Sequence, residues 1–380
     1  MRQLENPKKK EVMVILGTKA ETIKMSPVLR ELVRRGIPYF LLHTGQHDIS
    51  NELNELGLRT PDAVLEKSTG RGRFSNAIHA SFWNFGKLLL IRLWIKSVSP
   101  KIVLIHGDTM TTATAAIATR SFLSHRPLLA HVEAGLRSHN LREPFPEEIS
   151  RRIADCASDI LFCPTAFAAE NVKNKHKRGK CVFVVGNTNI DSLKYALKKG
   201  NINPDTGRAK KNPYLLAKLH RQENIKSEKR LSEFVKILEN APMHVEFILA
   251  DNTRRKMKKF GIFDRVSGLK HVSIRKDMPY IEFLKLFAGA SCILTDGGGE
   301  TEEACFLKVP CIEFRRFSER QEAERAGIAI RWNGNTSIVI KLIESIAKIK
   351  PKHIARAKNP YGDGTAGAKI VAEIEKIISA

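Results

Sequence analysis

Paired cysteines are missing from this sequence. Its six cysteines, Cys156, Cys163, Cys181, Cys292, Cys305 and Cys311, form no Cys-x-x-Cys pair, which argues against a disulfide framework and against a zinc site. Most stand inside apolar stretches, where cysteine serves as a small core residue. No apolar run reaches the roughly 18 residues of a membrane span, and the opening MRQLENPKKKEV has no apolar signal region. A cytoplasmic protein is the expectation. No zinc-finger or RNA-binding motif and no basic strip interleaved with aromatics is found, so no specific nucleic-acid partner is expected.

Negative charge is scarce. Sixty-four Lys and Arg oppose 40 Asp and Glu, a formal net charge of +24. Three partners compete to explain it: nucleic acid, an anionic membrane, or an acidic small substrate. The basic runs Lys8–Lys10, 173–180, Arg208–Lys211 and Arg254–Lys259 fall in the tail, in loops or on expected helix faces. That distribution fits a solvated lysine-rich surface, with long-range steering of an anionic substrate as an added effect.

What is present is a chain of 380 residues, long enough for two domains. Short apolar runs alternate with amphipathic segments. Strands are expected at 11–17, 37–43, 101–108, 127–135, 159–164 and 181–187, then at 214–220, 244–250, 271–275, 291–296, 310–314 and 328–332. Helices are expected between them, one over 21–36 and a last amphipathic one over 366–379. Uninterrupted Val/Ile/Leu runs imply strands buried on both faces, and strand-helix-strand order implies a parallel sheet. The polar stretch 194–213 is the best linker candidate. The reading is an α/β protein of two doubly wound, Rossmann-like domains, 1–195 and 210–360, with the helix of 361–380 bracing the first. Ligands bind outside the carboxyl ends of such strands, which places a site in a cleft between the domains.

Nearly every strand end carries chemistry. Gly17-Thr18-Lys19 and then Lys24 follow the first strand, and Thr44-Gly45-Gln46-His47-Asp48 the second. Asp108-Thr109 and Glu133-Ala134-Gly135-Leu136-Arg137 follow later ones. In the second half, His220-Arg221-Gln222-Glu223-Asn224 and Asp296-Gly297-Gly298-Gly299-Glu300 end strands. Glycines before a helix let its free N–H groups and positive dipole end meet a diphosphate, or serve tight packing alone. This triple glycine matches neither the dinucleotide-binding nor the P-loop pattern, so no nucleotide cofactor is indicated. Asp108, Glu133 and Glu147 are candidates for acid–base work, or else caps and ion-pair partners.

Taken together, GTKAETIKMSP (17–27), HGDTMTT (106–112), HVEAGLRS (131–138), PFPEE with SRR (144–152), GNTNID (186–191), LHRQEN (219–224), LTDGGGETEEA (294–304) and SERQEA (318–323) resemble the non-hydrolysing UDP-N-acetylglucosamine 2-epimerases. The resemblance implies the two-domain GT-B fold, a UDP-sugar substrate, no cofactor, no metal and a homodimer. It implies epimerisation by elimination of UDP across carbons 1 and 2 and re-addition on the opposite face. By resemblance Asp108, Glu133 and Glu147 are the catalytic carboxylates, with Glu133 and Glu147 as the proton-transfer pair. His220 contacts the diphosphate, which Lys19, Lys24, Gly298 and Gly299 hold. Glu303 takes the ribose hydroxyls, Arg137 and Arg320 contact substrate, and Gln46 and His47 border a regulatory site. Three positions depart from the family pattern: Lys19 replaces an arginine, Gly297 a serine, and Gln321 the proline of Arg-Pro-Glu. Relatives that hydrolyse the intermediate or act on a diacetamido-uronic UDP-sugar share these residues, and a GT-B glycosyltransferase shares the fold.

Overall fold

The computed structural model describes residues 10–66, 77–120, 126–173, 180–204, 212–348 and 352–379. In chain order its strands are β1 (Val12–Leu16), β2 (Tyr39–His43), β3 (Ala63–Val64), β4 (Ile102–His106), β5 (Leu128–Val132), β6 (Ile160–Cys163), β7 (Cys181–Val184), β8 (Tyr214–Lys218), β9 (His244–Ile248), β10 (Val272–Arg275), β11 (Cys292–Thr295), β12 (Cys311–Glu313) and β13 (Ala329–Arg331). They form two sheets, ordered β3-β2-β1-β4-β5-β6-β7 and β10-β9-β8-β11-β12-β13. All pairings are parallel. The expected pair of doubly wound, Rossmann-like sheets is therefore present. In each sheet the strand order reverses next to the first strand, between β1 and β4 and between β8 and β11, where such folds open a crevice at the strand ends.

The chain divides into two compact units. One runs through Ser192 and takes in the chain from Gly362 onward, and the other spans Leu193–Tyr361. In the first unit the pleat sends alternate residues of β1 into two cores. Val12, Val14 and Leu16 pack with Met25, Val28, Leu29 and Leu32 of the helix Lys19–Arg34 and with Ile370, Val371 and Ile374 of the helix Ala366–Ser379. Met13 and Ile15 pack on the other side with Ile91, Ile95 and Ala115. This two-sided burial is why the strand reads as an unbroken apolar run. In the second unit, Leu215, Ala217 and Leu294 pack against Phe234, Phe247 and Phe314.

Two departures from the sequence expectations have simple causes. Strand β3 has only two residues, paired with Leu42 and His43, too few to leave an apolar run. The polar stretch taken as a linker begins inside a helix, Thr188–Lys199, whose Ala196 and Leu197 are buried. Its lysines and Gly200 outweigh those apolar residues when composition alone is read. Within the helix Lys19–Arg34, Pro27 offers no N–H to the carbonyl of Ile23. Ser192 Oγ donates to that oxygen instead, at 2.6 Å.

Candidate active site

At the end of β1 the chain turns into a helix through a capping box. Thr18 Oγ1 accepts from Glu21 N, while Glu21 Oε2 accepts from the backbone N–H groups of Gly17 and Thr18, each at 2.8 Å. The other carboxylate oxygen of Glu21 accepts from Thr109 Oγ1 at 2.6 Å and Thr112 Oγ1 at 3.1 Å. One buried side chain thus joins the loop after β1 to the loop after β4. Burial raises the pKa of Glu21 against the pull of these donors. The threonine and glutamate of the box are visible in the sequence as Thr-x-x-Glu, the signature of a capped helix start.

Gly17 is held to a bare backbone, since a Cβ there would lie 2.2 Å from Thr111 Oγ1 and 2.5 Å from Thr44 Oγ1. Gln46 Oε1 accepts from the same Thr111 hydroxyl at 3.1 Å. His47 N donates to Gly17 O at 3.0 Å. Burial, followed by the charge of Lys19, lowers the His47 pKa. Lys19 itself is half exposed, with its ammonium 3.2 Å from Glu52 Oε1.

The three candidate carboxylates lie in this first unit. Glu133 follows β5 in a left-handed backbone conformation, φ 68°. Its Oε2 is 2.5 Å from the ammonium of Lys24, and both residues are buried. The His106 ring lies 3.9 Å from the same oxygen. Neither His106 ring nitrogen has a hydrogen-bond partner among the described residues. Burial holds its pKa down at about 4, so at neutral pH it is an uncharged wall beside Glu133. Asp108, after β4, receives a charge-assisted bond from Arg151 Nη2, and the other terminal nitrogen of Arg151 donates to Glu148 at 2.8 Å. Glu147 opens the helix Glu147–Ala157, half-buried in its first turn. Arg137 is turned inward. Its Nη1 is 2.6 Å from Asp155 and donates to Leu136 O.

The second unit gathers its polar residues at the ends of β8 and β11. Asp296 is fully buried and accepts from His220 N at 3.1 Å, Arg221 N at 2.9 Å and Asn224 Nδ2 at 3.0 Å. Its Oδ1 is also 3.0 Å from His220 Nδ1. Burial would raise the Asp296 pKa, but His220 and these donors outweigh it and hold the carboxyl low. The His220 side chain is 43% exposed. With Nδ1 turned to the carboxylate, Nε2 is the edge offered outward.

The helix Gly298–Leu307 starts after Gly297 without a side-chain cap. Glu300 folds back over this start, and a Cβ at Gly297 would be 1.7 Å from Glu300 Oε2. Lys218 Nζ holds Glu300 at 2.8 Å. Burial opposes ionisation of Glu300, but Lys218 and His220 prevail and bring its pKa to about 2. Glu303, one turn on, receives the Tyr280 hydroxyl at 2.7 Å. Burial, then the charge of Glu300, pushes its pKa up to about 8. Arg320 Nε donates to Glu302 at 2.5 Å, and its Nη1 is 3.4 Å from Glu319. Arg221 and Arg315 pair with that same Glu319. Among the described residues, no group of three or more His, Cys, Asp or Glu side chains is arranged to hold a metal ion. No described helix is long and apolar enough to cross a membrane.

A family model described as UDP-N-acetylglucosamine 2-epimerase matches residues 30–375. A Methanocaldococcus jannaschii protein named UDP-N-acetylglucosamine 2-epimerase is 35% identical over 375 residues, covering 95% of this chain and 98% of the relative. A Methanococcus maripaludis protein of the same name is 34% identical, covering 95% and 97%. The crystal structure of the M. jannaschii UDP-GlcNAc 2-epimerase in complex with UDP-GlcNAc and UDP superposes with a TM-score of 0.84, at 33% identity, over 96% of this chain and 99% of that one.

Proposed function

The chain belongs to the UDP-N-acetylglucosamine 2-epimerase family, and from that premise we propose that it interconverts UDP-N-acetylglucosamine and UDP-N-acetylmannosamine. Carbon 2 of the sugar carries no acidic proton, so direct deprotonation and reprotonation is closed. Elimination opens another route. The C2–H and C1–O bonds break, a C1=C2 double bond forms, and UDP leaves with the bonding electrons. Re-addition of UDP with protonation at the opposite face of carbon 2 gives the epimer. No net redox change occurs.

Each step asks for a group of the kind described above. The departing diphosphate gains negative charge, which the imidazole of His220 and the positive dipole end of the helix at Gly298 and Gly299 would offset. Asp108 would stabilise the positive charge building at carbon 1. Glu133 and Glu147 would move the proton on the two faces of carbon 2. Glu303 would take the ribose hydroxyls. The observation that carries the reading is the Glu133–Lys24 pair. A buried carboxylate held in a strained left-handed backbone and fixed by an ammonium at 2.5 Å suits a positioned proton-transfer group. Lys19, Lys24, Arg137 and Arg320 belong to the same reading as substrate contacts. Gln46 and His47 belong to it as the border of a regulatory site. We place the enzyme in the cytoplasm as a homodimer that takes no cofactor.

The test is proton NMR with UDP-N-acetylglucosamine in deuterated water. The expected product is UDP-N-acetylmannosamine carrying deuterium at carbon 2. Free UDP with N-acetylmannosamine would mark a hydrolysing relative instead, and an undeuterated, unchanged substrate would move the search to diacetamido-uronic UDP-sugars or glycosyl transfer. Glu133→Gln and Glu147→Gln should each abolish turnover and still bind UDP. Normal turnover in both would remove them from the mechanism.

A further inference from the structure

The three candidate carboxylates come from two loops and a helix start, and one buried residue touches the framework of both loops. Asp155 is fully buried on the helix Glu147–Ala157, the helix that also carries Glu147. Its Oδ1 lies 2.7 Å from His131 Nδ1, and Gly135 N donates to its carboxylate at 3.2 Å. Arg137 Nη1 completes the set at 2.6 Å. The other ring nitrogen of His131 donates to Gly107 O at 2.8 Å, because a carbonyl can only accept.

Gly107 immediately precedes Asp108. His131 and Gly135 bracket Glu133, each two residues away. The bracketed loop is costly in itself. Glu133 has φ 68° and Gly135 φ 85°, and the left-handed region is unfavourable for a non-glycine residue. A side chain at Gly135 is excluded, since its Cβ would be 2.2 Å from Ala168 O. Such a conformation persists only where the surroundings over-determine it. Here Gly107 N donates to Val132 O and Ala134 N to Phe162 O, each at 3.0 Å, and Asp155 supplies the side-chain bonds.

We infer that Asp155, acting through His131 and the Gly135 amide, is a positioning residue that sets the loops bearing Asp108 and Glu133. This rests on the proposed function only in naming those two carboxylates as catalytic. Burial would raise the Asp155 pKa, but His131 and then Arg137 outweigh it and hold the carboxyl low. The helix bearing Asp155 and Glu147, whose Arg151 also holds Asp108, is then the common reference for all three carboxylates.

Asp155→Asn tests it. The amide keeps the size and one acceptor oxygen but loses the charge that His131 and Arg137 meet. In the epimerisation assay kcat should fall roughly 10- to 100-fold, as expected for misplaced catalytic groups, while KM and the UDP dissociation constant should change little. In a crystal structure of the variant, Glu133 should leave its left-handed φ or the His131–Gly107 contact should open. His131→Gln, which leaves Asp155 with Arg137 and Gly135, is the second variant should the first fold poorly, and should show the same split with a smaller loss. Unchanged loops in the variant structures overturn the inference, and so does unchanged kcat with moved loops. A wild-type protein inert on the substrate would sink the functional reading alone, because the loop geometry of the variants would still decide what Asp155 does.

Discussion

At the scale of single residues, Gly297 and Glu300 have to be read together. The serine usual in this family at position 297 would place a Cβ 1.7 Å from Glu300 Oε2, so the glycine makes room for a carboxylate that Lys218 holds over the helix start. Gly297→Ser alone should therefore drive Glu300 off Lys218 and lower UDP affinity or stability. With Glu300→Ala in the same chain the serine should be harmless. The check is a double-mutant cycle read by UDP titration and thermal melting, where contacting residues give a large interaction energy and independent ones add. Additive effects would mean that the two positions do not meet. The sequence showed the missing hydroxyl at Gly297 but not its cause, because a clash three residues along needs coordinates to be seen. The buried set of His131, Asp155 and Arg137 was equally hidden. Its first two members are 24 residues apart, and each reads alone as an ordinary polar residue near an apolar run. The reverse also happens. Gly362-Asp363-Gly364-Thr365-Ala366-Gly367 spells a dinucleotide-binding string, yet no strand leads into it and its last amide donates to Asp191 at 2.8 Å.

At the scale of elements, strands were legible wherever a parallel sheet buries both faces, since β1, β2, β4 and β6 are apolar almost throughout. Helix starts were harder. The first helix begins at Lys19 rather than at residue 21, because the capping box of Thr18 and Glu21 draws the turn back to Gly17. That box joins two loops as well as one helix end. Thr18→Ala should cost about 1 kcal/mol, the usual worth of a cap. Glu21→Ala should cost more, about 2–4 kcal/mol, since it strips a buried acceptor from two amides and three hydroxyls. Urea denaturation of both variants checks the order. Equal losses would mean that Glu21 acts only as a local cap and that its bonds to Thr109 and Thr112 contribute nothing.

At the scale of the whole molecule, strand-helix alternation was enough to give two doubly wound sheets, while the contacts that close the first unit came from the far end of the chain. The helix Ala366–Ser379 buries Ile370, Val371 and Ile374 completely in the core built by β1 and the helix Lys19–Arg34. Gly367 lets the backbones approach, as a Cβ there would be 2.8 Å from Pro27. Arg35 pairs with Glu375 at 2.6 Å at the other end of the contact. Each of those three side chains contributes about 1.5–3 kcal/mol on burial, against a typical total stability of ~5–15 kcal/mol. Removing residues 362–380 should therefore loosen the first unit and spare the second, whose core of Leu215, Phe234, Phe247 and Leu294 takes nothing from this helix. Amide hydrogen exchange resolves the two outcomes. Protection should fall along β1, β4 and Lys19–Arg34 and hold along β8, β9 and β11. An even loss across both sheets would show that the units do not fold independently of this segment. No loss along β1 would show that the helix covers the first core without stabilising it.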